Sequence, residues 1–305
     1  MNLKESLKRR INSILDEVER RGFEAAVFMN EVIGLNPSNF VYASGPWGFG
    51  DEHNTIVFDI HGGSTVVVPH WGAKQMTDSG RYGKVIAIKQ EKGHQLRATK
   101  QALDDYDPSK ICFDLSTLSA QLSLRLSKDL GVTLNERVDI SDHVFKMRSI
   151  KDSYEIREIR DAIGITEDAV LEMVEASKPG THTRDLKKIL DTGMIERGAI
   201  EFSFWSNVGF GNGPRHPQRI VKHEDILVTD VGCRVPSGYC SDMGRTWPMD
   251  LTPVVKDWLD RILMAHEESF ANIKAGTTGN TVLRKASEIN QEHGLEPLLR
   301  CGHQI

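Results

Sequence analysis

The stretch Asp230-Val231-Gly232-Cys233-Arg234-Val235-Pro236-Ser237-Gly238-Tyr239-Cys240-Ser241-Asp242-Met243-Gly244-Arg245-Thr246 decides how this chain is read. Pro-Ser-Gly between two apolar runs is the turn of an antiparallel hairpin. On its first strand Ile226, Val228 and Asp230 share one face by period-two alternation. A carboxylate beside two aliphatics is expected to be at least partly buried. With a loop of three residues, Asp230 and Asp242 are expected to face each other across the ladder, their Cα atoms ~4.5–5.5 Å apart. Two carboxylates that close repel, so burying them needs a cation or a shared proton. One or two divalent metals, taking hard oxygen ligands, would meet that need. Two solvated aspartates beside a turn, or one of them paired with Arg245, account for the same spacing.

Outward from the hairpin, the chain reads as two halves. Leu3, Leu7, Ile11, Ile14, Leu15 and Val18 recur at helical steps until Gly22 stops the run. Strands are predicted at Ala25–Met29, Thr55–Ile60, Thr65–Pro69, Val85–Ile88 and Ile111–Asp114, with His61-Gly62-Gly63-Ser64 as a hairpin turn. Helices are predicted around Leu96–Leu103 and Leu118–Leu130, and the alternation argues for an α/β domain. Lys146–Ser153 reads as a polar connector into a long amphipathic helix capped by Asp152 or Ser153. Its buried stripe is expected at Ile156, Ile159, Ile163, Val170, Met173 and Val174, and Lys178-Pro179-Gly180 ends it. A helix near Leu186–Glu196, capped by Thr181 or Thr183, precedes strands at Phe202–Val208, Ile226–Val231 and Tyr239–Trp247. Helices near Val254–Ile273 and Thr281–His293 come next, and the domain boundary is expected near residue 150.

Composition narrows the class. The 305 residues are 39% hydrophobic and 27% charged, enough for a core and a solvated surface, which excludes a disordered, collagen-like or coiled-coil chain. A net charge of -5 argues against a general nucleic-acid binder. No apolar run approaches the ~20 residues of a membrane span, and Met-Asn-Leu-Lys-Glu-Ser is no secretory leader. A cytoplasmic protein with no membrane or nucleic-acid partner is expected. Cys112, Cys233, Cys240 and Cys301 form no Cys-x-x-Cys pair and read as buried free thiols. His266-Glu267-Glu268-Ser269-Phe270 lacks the second histidine of a zincin helix, and there is no Gly-x-Ser-x-Gly elbow. Gly209-Phe210-Gly211-Asn212-Gly213 is followed by Pro214 and a turn rather than a helix, so it is not a phosphate loop. It serves either a close approach of backbone to substrate or a plain turn.

The hairpin motif, two helices and then Cys301-Gly302-His303-Gln304-Ile305 together resemble the pita-bread metallopeptidase superfamily. Asn36-Pro37-Ser38-Asn39-Phe40-Val41-Tyr42-Ala43-Ser44-Gly45 and the linker Arg148-Ser149-Ile150-Lys151-Asp152-Ser153-Tyr154-Glu155-Ile156 are similar to the creatinase, prolidase and aminopeptidase P branch. The resemblance implies an α/β N-terminal creatinase-like domain over 1–148 and an α+β pita-bread catalytic domain over 149–305, incomplete at its C-terminus. It also implies two divalent metal ions (Mn, Co, Zn or Fe) held by two Asp, one His and two Glu. Asp230 and Asp242 match the aspartates, the second as the bridge, and His303 matches the histidine ligand. His216, in Gly213-Pro214-Arg215-His216-Pro217, matches the family histidine that binds substrate and transition state or moves a proton.

The resemblance therefore implies a homodimer that hydrolyses Xaa-Pro bonds in short peptides, in a metal-dependent reaction through a metal-bridging hydroxide. A creatinase-like hydrolase of a small non-peptide C–N bond, or a non-catalytic pita-bread binding module, are the alternatives. The chain departs from the family pattern in four places. Asp230 and Asp242 stand twelve apart, one more than usual, and the His216–Asp230 segment is short. Leu299 occupies a position where aminopeptidase P and prolidase often carry a histidine. The chain stops at Ile305, before the two glutamates, so a fragment, inactive as it stands, is expected.

Overall fold

The structure, a computed structural model, describes residues 1–30, 38–46, 53–88, 94–116, 118–210 and 219–298. The chain divides into two compact units, Met1–Glu158 with Pro236–Gly238, and Ile159–Val235 with Tyr239–Ile305.

The first unit opens with α1 (Leu3–Arg20), whose start is a capping box between Asn2 and Glu5. Then come β1 (Ala25–Asn30), α2 (Ser38–Ser44), β2 (Asn54–Asp59), β3 (Ser64–Pro69), α3 (His70–Ser79), β4 (Lys84–Ile88), α4 (His94–Leu103), β5 (Ile111–Phe113), α5 (Ala120–Leu130) and α6 (Ser141–Ser149). The five strands form one mixed sheet in the order β4-β3-β2-β1-β5, with β1–β2 and β2–β3 antiparallel and the outer pairs parallel. Every residue of β1 and β2 is buried, as expected of central strands covered on both faces. The β2–β3 turn is held by Asp59, whose Oδ1 accepts from the backbone N–H of His61 (2.8 Å) and Gly63 (3.0 Å).

The expected apolar stripe of α1 is only part of what it buries. Arg10 and Glu17 lie inside with Ile14 and Val18. The Arg10 guanidinium donates to the Tyr42 carbonyl (3.2 Å), stacks 4.3 Å over the Tyr42 ring and approaches Glu155 at 3.6 Å. Charges stay inside a fold when paired in this way. Asp152 accepts from Ser6 (2.6 Å) and Arg9 (2.9 Å) and caps the next helix through the backbone N–H groups of Tyr154 and Glu155. That settles the cap on Asp152. The first half of the connector read at Lys146–Ser153 is the end of α6, a short helix with little apolar content to announce it.

The second unit contains most of α7 (Ser153–Ala176), then α8 (Thr183–Glu196), β6 (Glu201–Phe202), β7 (Asn207–Phe210), β8 (Ile226–Val231), β9 (Cys233–Arg234), β10 (Met243–Pro248), α9 (Pro253–Ala271) and α10 (Gly279–Glu292). β10-β8-β7 is one antiparallel sheet, and β6 pairs separately with β9. The strand expected at Phe202–Val208 is therefore two short strands serving different ladders, and that at Tyr239–Trp247 begins later, at Met243. The buried stripe of α7 also differs from the expected one. Ile156 and Ile163 are exposed, while Ala162, Thr166, Ala169, Val170 and Met173 are buried. Small residues allow close packing against the sheet, which a search for large aliphatics overlooks. α8 is capped by His182, whose ring nitrogen accepts from the Arg184 N–H (3.1 Å), and Thr183 instead accepts from the Arg219 N–H. Among the described residues no helix is long and apolar enough to cross a membrane.

The Glu17 carboxyl gives the first unit a signature in acid. Hydrogen bonds from Arg20 and then Arg21 hold it at about 2, against the opposing effect of burial. The unfolded value is about 4.3, so the folded state binds this proton more weakly. The contribution is complete above about pH 4.3 and is lost as pH falls towards 2. Glu17→Gln is therefore expected to lower stability at neutral pH and to reduce the loss of stability across that window. Urea unfolding at a series of pH values measures this, and wild-type and variant curves that stay parallel contradict it.

Candidate active site

The hairpin that carries Asp230 is the centre of the second unit. Leu227, Thr229 and Val231 of β8 are buried, whereas Ile226 and Asp230 are exposed. The alternation is as expected but the buried face is the other one. Leu227 and Val231 join Val208 and Met243 in a core with Ala162, Ala169 and Met173 of α7 and Leu186, Leu190 and Met194 of α8. Asp230 thus stands on the face of the sheet turned away from this core.

The register corrects a second expectation. The tip is Pro236-Ser237-Gly238, closed by Val235 N–H donating to Tyr239 C=O (3.0 Å), with Gly238 at φ +88°. Counting outward, Arg234 pairs with Cys240, Val231 with Met243 and Asp230 with Gly244. Asp242 therefore falls opposite Gly232, not opposite Asp230. The aspartates are diagonal neighbours, a relation that spans ~7–8 Å in a regular ladder, and each has a glycine across from it. The repulsion expected of a directly opposed pair is relaxed, and the missing side chain at Gly244 leaves space beside Asp230, whereas the room opposite Asp242 at Gly232 is filled by the Ser241 carbonyl oxygen. Asp242 is half-buried.

A buried knot sets this geometry. The Ser241 hydroxyl lies 2.7 Å from the Thr166 hydroxyl of α7 and accepts from the Cys233 N–H (2.9 Å). Thr166 also donates to Ala162 C=O (3.0 Å), and the Cys233 thiol donates to the same carbonyl (3.4 Å). From β6's end, Ser203 Oγ lies 2.8 Å from the carbonyl oxygens of both Cys233 and Ser241. Thr166, Cys233 and Ser241 are fully buried. Gly232 is needed at its position, because a Cβ there would overlap the Ser241 carbonyl oxygen. None of these residues stands out in sequence as a site residue. The available signal is Gly232 two positions after one aspartate and Ser241 immediately before the other.

A second device lies at the end of β7. Arg219 forms a two-pronged pair with the buried Asp225 carboxylate (2.6 and 2.7 Å) and lies 3.5 Å over the Phe210 ring. Arg219, with the Lys222 N–H and nearby charges, keeps the Asp225 carboxyl below its usual range against burial. Phe210 and Arg219 are the described residues on either side of 211–218, the segment that contains His216. His216 and His303 both lie outside the described residues. Among the described residues no three His, Cys, Asp or Glu side chains converge to hold a metal. Asp230 and Asp242 are the described members of the expected ligand set, and their carboxylates are suited to hard divalent cations.

Comparison with known proteins fits this architecture. The chain superposes on an X-Pro aminopeptidase from Thermotoga maritima with a TM-score of 0.76 at 23% identity, covering 93% of this chain and 78% of that one. It superposes on the prolidase from Pyrococcus horikoshii with a TM-score of 0.75 at 20% identity, covering 94% and 78%. An "uncharacterized peptidase" of Staphylococcus saprophyticus is 26% identical over 97% of this chain and 83% of its own length. The fold is thus a creatinase-like α/β domain followed by a pita-bread domain. Residues 157–305 match metallopeptidase family M24, and with the prolidase-like fold this match supports a hydrolase of the metallopeptidase class. Enzymes of this family use divalent metals.

The knot predicts two stability effects. Ser241→Ala leaves the Cys233 N–H without an acceptor inside the core, at a cost of about 1–3 kcal/mol. Gly232→Ala forces the strands apart, an overpacking that typically costs about 1–3 kcal/mol and occasionally more. Urea unfolding reads both, and a Gly232→Ala protein as stable as the wild type would contradict the close approach of the two strands at Gly232.

Proposed function

We propose that the protein is a metal-dependent peptidase that cleaves Xaa-Pro bonds in short peptides. The observation that carries the reading is the diagonal pair Asp230 and Asp242, each opposite a glycine, on the sheet face turned away from the core in a family M24 domain. The similarity to X-Pro aminopeptidase and prolidase structures supports the choice of substrate, because it includes the first unit as well as the second. A probable Xaa-Pro aminopeptidase of Talaromyces marneffei, 24% identical over 55% of this chain and 38% of its own length, supports it further.

In this reading residues 1–148 are the N-terminal domain and 149–305 the catalytic domain. Asp230, Asp242 and His303 would hold the divalent metal. When bound, such ions supply a hydroxide near neutral pH and polarise the scissile carbonyl. The chain's own residues do the rest. The knot behind Ser241 and Cys233 holds the two carboxylates in register, and the absence of a side chain at Gly244 leaves room for the peptide beside Asp230. His216 donates a hydrogen bond to the oxygen on which charge develops, or moves the proton to the leaving amine. The working form is a cytoplasmic homodimer.

Metal content and turnover test this together. The full-length protein is expected to hydrolyse a Xaa-Pro dipeptide with added Mn²⁺ or Co²⁺ and to lose that activity to a chelator. Asp242→Asn is expected to abolish metal-dependent turnover while melting at nearly the wild-type temperature. Activity retained in that variant, or undiminished by chelation, rules out the metal mechanism.

A further inference from the structure

We infer that Asn207 is a recognition residue of this site that accepts a hydrogen bond from the free α-amino group of a peptide substrate, an inference that rests on the proposed peptidase function. Across the sheet Asn207 of β7, Asp230 of β8 and Gly244 of β10 stand in one row. Directly opposed side chains of neighbouring strands have Cβ atoms ~4.5–5.5 Å apart. With Gly244 bare on one side, the carboxamide of Asn207 is the side chain that borders Asp230 in this row.

That carboxamide has an unmet need. Its Oδ1 is enclosed and has no hydrogen-bond partner among the described residues. It lies over Gly209, where a Cβ would sit 3.5 Å from it, so the oxygen occupies space beside a residue with no side chain. An enclosed acceptor without a donor is costly to keep, and a polar group retained in that state beside a site points to a ligand that completes it. The terminal torsion of asparagine is broad, so the group can turn towards a donor without movement of the strand.

The chemistry of the substrate narrows the donor to one group. The scissile nitrogen of a Xaa-Pro bond is a tertiary amide and carries no hydrogen. In a Xaa-Pro dipeptide the only main-chain donor is therefore the α-ammonium. A neutral carboxamide suits it, since it accepts from the ammonium without adding a third negative charge beside Asp230 and Asp242.

The test compares one dipeptide with its des-amino analogue. Ala-Pro and propanoyl-proline differ only in the amine, and their affinities for wild type and Asn207→Ala are measured by calorimetry, with KM and kcat for Ala-Pro on the Mn²⁺-supplemented protein. Loss of a hydrogen bond to a charged group is expected to weaken Ala-Pro binding and raise KM by roughly 10- to 100-fold with kcat little changed. Propanoyl-proline is expected to bind both proteins alike. Equal losses for both ligands, or no loss for either, overturn the role of Asn207 and leave the peptidase reading intact. A wild type that neither binds nor cleaves Ala-Pro removes both.

Discussion

The hydroxyl pair Thr166–Ser241 is the contact on which the second unit's architecture depends. It ties the middle of α7 to the residue preceding Asp242, and the Cys233 N–H converges on the same oxygen from the opposite strand. Both arms of the hairpin and a helix some 75 residues earlier in the chain are therefore referred to one buried atom. In a low-dielectric interior such hydrogen bonds are strong when complete and costly when incomplete, so the hairpin has little freedom to slide. A slip of one residue would turn every side chain of β10 to the other face and take Asp242 away from the face that carries Asp230. The absence of a side chain at Gly232 lets the knot close.

The first unit solves a related problem with charge. Arg10, Glu17, Asp152 and Glu155 are ionisable and mostly enclosed, yet each has partners within the unit. Arg10, Asp152 and Glu155, with Ser6 and Arg9, clamp the N-terminal helix α1 onto the first turn of α7, while Glu17 binds Arg20 and Arg21 at the other end of α1. Apolar side chains could fill the same volume, often without loss of stability, but they would not select one rotation of α1 as a matched set of donors and acceptors does.

Much of this is legible in the chain itself, and the failures share a cause. Gly22, Gly62 with Gly63, and Lys178-Pro179-Gly180 mark real element ends, because glycine and proline act through local backbone energetics. The family resemblance rests on Asp230, Asp242 and their surroundings, which the structure places together on one face. Burial and register are less accessible. Ile226 and Val228 suggest the wrong inner face of β8, since an exposed aliphatic beside a site looks in sequence like a core residue. Spacing alone misplaces Asp242 opposite Asp230, because a cross-strand partner depends on every residue between the tip and the strand. Asn207 and the Arg219–Asp225 pair give no sign in sequence, since their significance lies in which strand or ring they meet.

The thiols give the two units separate clocks. Cys112 in β5 and Cys233 in β9 are fully buried, one in each unit, whereas Cys240 is only half-buried. Burial pushes the Cys112 thiol up to about 12, so almost none of it is thiolate at neutral pH, and thiolate is the reactive form. An alkylating reagent therefore has to wait for β5 to open before it can modify Cys112, and for the knot around Cys233 to open before it can modify that residue. The rates at the two sites would follow the opening free energies of their own surroundings. Alkylation of its own cysteines can therefore report which half loosens first under heat or denaturant.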